Sequence, residues 1–76
     1  MNQQEEHIKA SLRMTNREFK RLESLHQRYE QELESLTKSH HLTQDQEVKK
    51  IELKKLKLQA KDRMAQIMRE YFSQIQ

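Results

Sequence analysis

The stretch KSHHLTQDQ, residues 38–46, ends an apolar pattern that runs through the first half of the chain. The pattern has the alternating steps of four and three that are typical of a coiled-coil heptad, and it comprises Ile8, Leu12, Thr15, Phe19, Leu22, His26, Tyr29, Leu33 and Leu36. Continued beyond residue 38, the same spacing would fall mainly on lysines and other polar side chains. Because one helix through both halves cannot keep an apolar seam, the chain is predicted to turn near residue 40.

The residues after this point have the chemistry of a helix start. Thr43 followed by Gln46 fits a capping box, in which each side chain hydrogen-bonds the backbone amide of the other residue. Asp45 and Glu47 would lie in the first turn, where carboxylates stabilise the positive end of the helix dipole. The sequence therefore predicts an all-α fold, with two long helices in an antiparallel coiled-coil hairpin. The predicted elements of this single domain over residues 1–76 are helix 1 at 7–39, a corner at 40–43 and helix 2 at 43–73.

His40 and His41 raise the question of a metal site at the corner. A structural or catalytic metal usually needs three or four converging ligands, and the chain contains no cysteine and no clear third ligand nearby. Adjacent residues of a helix also point in different directions, which disfavours chelation by the pair. We therefore assign both histidines to the corner and predict neither a metal nor a cofactor.

Helix 2 is predicted to carry two apolar stripes. The first consists of Leu53, Leu56, Ala60, Met64, Ile67 and Tyr71, and the second, spaced by sevens, consists of Ile51, Leu58, Ala65 and Phe72. Helix 1 can cover only one stripe, and a lone two-helix hairpin of this size would be marginally stable. Ile51, Leu58 and Phe72 are therefore the predicted partner-binding residues, in contact with a second copy that completes a four-helix bundle or with another helical protein. The alternative is that Leu58 and Phe72 only widen the contact within the hairpin.

A row of lysines lies between the two stripes, at Lys50, Lys54, Lys57 and Lys61. Such a row can follow the phosphates of a nucleic acid, which gives an alternative function. The net charge is only +3, however, and no aromatic residue alternates with the lysines to stack on bases. We favour a solvated face, in which the lysine stems shield apolar neighbours.

Several functional classes lack the required sequence features. There is no apolar run of a secretory signal and no stretch of about 20 apolar residues that could span a membrane, which predicts a cytoplasmic protein. No nucleophile and base pair, phosphate-binding loop or zinc-protease motif is present. Two helices alone are also expected to form no concave pocket for a small-molecule substrate. The chain is therefore predicted not to be an enzyme.

The segment LKKLKLQAKDRM, residues 53–64, resembles the second-helix signature L-K-K-x-K-L-x-L-K-D-x-[IM] of the YdcH-like proteins, which are short bacterial helical hairpins of unknown function. The spacing of Phe19, Leu22, His26, Tyr29 and Leu33 resembles the first helix of that family, and the likeness covers about residues 19–68. Ala60 departs from the pattern, since the family usually has leucine there, although Met64 could compensate for the lost volume. The resemblance implies an antiparallel coiled-coil hairpin and implies no enzyme activity, cofactor or substrate. The sequence thus predicts a non-enzymatic interaction or structural module that self-associates.

Overall fold

The computed structural model describes residues 3–75 and is all-α. It contains α1 (Gln3–Thr15), α2 (Arg17–Thr37) and α3 (Gln44–Ile75). The molecule measures 50 × 18 × 18 Å, and its long dimension matches the roughly 48 Å expected for the 32 residues of α3. The single-domain prediction also included residues 1, 2 and 76, which lie outside the described part of the chain.

The predicted two-helix hairpin is not confirmed, because the segment assigned to one helix at 7–39 forms two helices. The break falls at Asn16, whose backbone is extended, with φ −127° and ψ 108°. The Asn16 side-chain oxygen accepts a hydrogen bond of 2.9 Å from the Phe19 amide, so Asn16 is the N-cap of α2. An asparagine followed by a carboxylate at Glu18 is a recognisable helix start, and the heptad pattern conceals it.

The turn between α2 and α3 lies close to its predicted position. Helix α2 ends at Thr37, and the Ser39 amide donates to the Leu36 carbonyl oxygen at 3.2 Å. The predicted capping box is confirmed: the Gln46 amide donates to Thr43 Oγ1 at 3.1 Å, and the Thr43 amide donates to Gln46 Oε1 at 2.9 Å. Helix α3 is therefore started by local hydrogen bonds, without glycine or proline.

Helices α2 and α3 are antiparallel neighbours, as their ion pairs show. Arg63 donates two hydrogen bonds to the carboxylate of Glu18, at 3.0 and 2.9 Å. Farther from the N-terminus of α2, Glu30 pairs with Lys57 at 3.3 Å. The partner in α3 thus moves towards lower residue numbers as α2 advances, which defines the antiparallel direction.

The core is centred on Phe19, whose side chain is completely buried. Phe19 forms a cluster with Ile8 and Leu12 of α1 and Ile67 of α3, so all three helices contribute to one apolar centre. Half-buried side chains pack around this cluster, namely Leu22, Met64, Met68, Tyr71 and Phe72. Nearer the turn, Leu33 and Leu53 are also buried.

A second charged contact holds α1 against α2. Arg13 donates to the two carboxylate oxygens of Glu23 at 2.6 and 2.8 Å. Ten residues of a straight helix rise about 15 Å and end on a different face, so this pair requires the bend at Asn16. Glu23 also faces a cleft that is lined by Glu5 of α1 and Glu30 of α2. Helix α1 is therefore folded back towards α2.

The capping box gives a first prediction. Replacing Thr43 with alanine removes the side-chain acceptor for the Gln46 amide, and we expect the free energy of unfolding to fall by about 1 kcal/mol. Denaturant unfolding followed by circular dichroism measures the change. Thr43→Ser should retain most of the stability, because serine keeps the hydroxyl. An unchanged midpoint at unchanged slope in Thr43→Ala would contradict the role of the cap.

The two bidentate ion pairs predict acid sensitivity. The hydrogen bonds from Arg63 lower the pKa of Glu18 below its ordinary value of 4.5, and those from Arg13 lower the pKa of Glu23 in the same direction. Each pair therefore contributes stability above about pH 4.5, and the contribution is lost as the pH falls through the lowered pKa. We expect the melting temperature to decrease below pH 4.5, and Glu18→Gln/Glu23→Gln to flatten that decrease. The same slope in both proteins would contradict this assignment.

Candidate interaction surface

Three large aliphatic side chains are exposed on one face of α3. Val48 is 51% exposed, Ile51 56% and Leu58 57%. Their spacing of three and seven residues places them on the same side of the helix. We call these three residues the α3 outer surface. Single exposed aliphatic side chains are common in proteins, but these three lie within 11 residues on one helix face, with Lys54 and Lys55 in the turn between Ile51 and Leu58.

The structure separates Phe72 from this surface. Phe72 is half-buried and packs against the cluster of Ile8, Leu12, Phe19 and Ile67, whereas Ile51 and Leu58 are exposed. The 13 residues of α1 cover the C-terminal half of α3 because Ile8 and Leu12 pack there. At about 20 Å in length, α1 is too short to cover Leu58 and Ile51 as well. The predicted second stripe is thus covered at one end and open at the other.

The four lysines of the predicted nucleic-acid-binding row differ in their exposure and in their ion pairs. Lys57 is paired with Glu30 at 3.3 Å and is only 35% exposed at its side chain. Lys50 is half-buried, whereas Lys54 and Lys61 are exposed. Within residues 3–75, Lys54 and Lys61 have no ion-pair partner. Of the four lysines, only Lys57 is in an ion pair of the described residues; Lys50 is unpaired and half-buried, and Lys54 and Lys61 are unpaired and exposed.

A cleft of about 440 Å³ lies between the three helices. Its residues include Phe19, Met64 and Met68 as apolar surface and His26 among the polar side chains. The His26 Nε2 atom is buried and has no hydrogen-bond partner in the described part of the chain. The expectation that the helices form no concavity is wrong, because the bend at Asn16 brings α1 across the α2–α3 pair and opens this space.

Within residues 3–75, the three carboxylates that line the cleft each form an ion pair. Glu23 is bonded to Arg13, Glu30 to Lys57, and Glu5 lies 3.8 Å from Lys9. The hydrogen bonds from Arg13 lower the pKa of Glu23, which makes this carboxylate a poor general acid near neutral pH. The residues found to line the cleft include no serine, threonine or cysteine that could act as a nucleophile. The arrangement offers an apolar space with a charged border, and the His26 imidazole lies in its lining.

A shallow groove of about 210 Å³ lies along the α2–α3 contact. Its lining is mainly apolar and consists of Leu22, Leu25, Tyr29, Leu56, Gln59 and Ala60. Ala60 is buried, and Leu56 is 41% exposed although it belongs to the first predicted stripe. Ala60 and Leu56 therefore lie side by side in the lining of this groove.

Two further observations concern metal-binding groups and membrane-spanning helices. His40 and His41 are exposed in the turn between α2 and α3. Across residues 3–75, no group of three or more histidine, cysteine, aspartate or glutamate side chains is placed to hold a metal ion. None of the three described helices combines the length and the apolar character that crossing a membrane requires.

The sequence pattern does not single out two residues of this arrangement. Val48 lies three positions before Ile51, and that spacing alone could have added it to the second stripe. Asn16 is hidden because the heptad pattern continues on both sides of it. Its type, followed by Glu18, is the available signal for a helix start.

Comparison with known proteins adds no relative to this description. No protein-family model matches the chain, and neither a curated protein nor a solved structure is significantly similar to it. The resemblance to the YdcH-like proteins therefore stays a prediction, and the candidate surface is defined by the geometry of this chain alone.

Proposed function

We propose that this protein is a non-enzymatic interaction module that self-associates through the α3 outer surface. The observation that carries the proposal is the exposure of Val48, Ile51 and Leu58, each more than half open to solvent on one helix face. Burying a fully exposed aliphatic side chain of this size contributes about 1.5–3 kcal/mol, and side chains that are about half exposed gain roughly half of that. Three such side chains, doubled across a symmetric interface, supply a substantial driving force for association.

A second copy is the partner that fits this surface best. A two-fold axis places the same apolar strip on both sides of the contact, so the interface is complementary to itself. Charged side chains of both signs lie on the same face, with Lys54 and Lys55 between Ile51 and Leu58 and with Glu47 and Asp62 at the two ends. Two copies can therefore pair without a single-sign charge repulsion along the whole contact. Association through α3 would bring α2 and α3 of each copy into a four-helix arrangement.

The proposal predicts a dimer that depends on Leu58. Leu58→Glu would bury an unpaired carboxylate in the contact, and we expect the dissociation constant of the dimer to rise by about tenfold or more. Because Leu58 is exposed in the monomer, the variant should keep its helicity. Sedimentation equilibrium at several concentrations measures association, and circular dichroism measures helicity.

Gln59→Glu is the matched control, since it adds the same charge at an adjacent exposed position off the strip. It should associate like the unmodified protein. A protein that stays monomeric at all concentrations would overturn the proposal. Equal association of the Leu58→Glu and unmodified proteins would place the contact elsewhere.

Nucleic-acid binding through the lysine row is the second candidate, and the free Lys54 and Lys61 are the observation in its favour. We expect it to be the weaker candidate, because Lys57 is engaged with Glu30. Binding to a generic DNA duplex should therefore be weak at physiological salt and should change little in Lys54→Gln/Lys61→Gln. A steep fall of affinity with salt, reduced in that variant, would instead support the nucleic-acid function.

A further inference from the structure

We propose that α1 is a hinged arm that alternates between the observed bent position and a straight continuation of α2, and that a second copy of the chain competes with it for the Phe72 side of α3. This inference rests on the proposed self-association, because it extends the same contact along α3. It adds a mechanism that controls how much of the contact is open.

The apolar pattern of the sequence is compatible with both forms of the arm. The heptad spacing continues without a shift across the break, from Leu12 through Thr15 to Phe19. In a straight helix, Ile8 and Leu12 would thus extend the apolar seam of α2. In the bent form, the same two residues bury Phe19 and Ile67 in the core cluster. Each form gives the apolar side of α1 a surface to cover.

The two forms of the arm differ locally in the backbone conformation of a single residue, Asn16. The Asn16 amide already donates to the Leu12 carbonyl oxygen at 2.8 Å, and the Lys20 amide donates to the Asn16 carbonyl oxygen at 3.1 Å. Both bonds have the spacing of an ordinary α-helix. Rotating the Asn16 backbone into the helical region would let the three following amides find helical acceptors, in place of the bond from the Phe19 amide to the Asn16 side chain.

Three kinds of contact among the described residues favour the bent form over the straight form. One is the Asn16 cap, and another is the Arg13–Glu23 pair, which cannot form across a straight helix. The side chains of this pair are 42% and 25% exposed, so water and salt screen it. Packing of Ile8 and Leu12 against the cluster supplies the remainder. Contacts of this number can be outweighed by an intermolecular interface.

In the bent form, the arm covers the Phe72 side of α3. Phe72 follows Ile51 and Leu58 at intervals of 21 and 14 residues, which places all three near one helix face. In the bent form only the Val48 to Leu58 end of this face is open, because the cluster that includes Ile8 and Leu12 covers Phe72. When α1 straightens onto the α2 seam, Phe72 is uncovered. The apolar strip then runs along most of α3, and a second copy can pair with its full length.

The fraction of chains with a straight α1 affects the dissociation constant of the dimer. If the dimer forms from two straight chains, its apparent dissociation constant equals the intrinsic constant divided by the square of the fraction of chains that are straight. A substitution that raises this fraction should therefore lower the apparent dissociation constant by the square of the increase. The concentration of the protein itself would then select the straight form.

Asn16→Ala is the decisive variant, because alanine cannot cap α2 and is the best helix former. Spin labels on His7→Cys and Gln31→Cys, both exposed and on opposite sides of the break, report the arm directly. In a straight helix their backbones would lie about 36 Å apart, and in the bent form they are closer. Asn16→Ala should shift the distance distribution towards the longer value. Because loss of the N-cap shifts the equilibrium about fivefold in each chain, the dissociation constant of the dimer should fall by up to about 25-fold.

Asn16→Asp is the matched control, since it keeps a capping oxygen and should keep the bent distances and the original dimer constant. A protein with α1 held in the bent position tests whether covering the Phe72 side weakens the dimer. The chain has no cysteine, so Arg13→Cys/Glu23→Cys can be joined specifically by a short bis-maleimide. The joined protein should dimerise more weakly than the same variant before joining, because its Phe72 side stays covered.

The outcomes separate this inference from the proposed function. Unchanged label distances in Asn16→Ala would overturn the hinge, whatever the dimer constant. Longer distances without a tighter dimer would show that α1 and the second copy do not compete, and would overturn the inference. In either case, association of the unmodified protein that is lost in Leu58→Glu would still support the proposed function. Absence of association in both the unmodified protein and Asn16→Ala would overturn both proposals.

Discussion

The burial of Phe19 is the interaction on which the arrangement of all three helices depends. Its side chain is fully buried among Ile8, Leu12 and Ile67, while its own amide is bonded to the Asn16 side chain. Burying a phenylalanine contributes about 1.5–3 kcal/mol, which is large for a chain of this size. The same residue thus fixes the start of α2 and gives α1 and α3 a shared surface to pack against. The bend in the chain and the apolar centre are two parts of one arrangement.

Side-chain hydrogen bonds replace glycine and proline as the elements that divide this chain into helices. The chain contains neither residue, yet Asn16 begins α2 and Thr43 begins α3. A capping side chain compensates one of the unsatisfied amides at a helix start. Such a break leaves the backbone in an ordinary conformation, and no described residue has positive φ. The break at Asn16 is held by a side-chain hydrogen bond and by the burial of Ile8 and Leu12 against Phe19, and these are the contacts that the proposed movement of α1 would have to exchange.

Electrostatic pairs determine direction and position more than they determine stability. The Glu18–Arg63 and Glu30–Lys57 pairs are compatible with only one direction of α3 along α2, and Arg13–Glu23 is compatible with only the bent α1. The side chains of all three pairs are partly exposed, so each pair adds little free energy in water. Burial of apolar side chains contributes more to the free energy of folding. The pairs select one arrangement among those that bury similar apolar area.

The amino-acid sequence by itself determined the helical class, the turn near residue 40 and the Thr43 capping box, because these follow from periodicity and hydrogen bonds between near neighbours. It also indicated that Ile51 and Leu58 lie away from the α2 contact. Only the tertiary structure decided that α1 bends back at Asn16, since a continuous heptad and an N-cap residue favour opposite outcomes locally. It also decided that Phe72 is covered and that a cleft opens beside His26. These features depend on contacts between residues up to about 60 positions apart, and the energies of such contacts cannot be compared before the helices are placed.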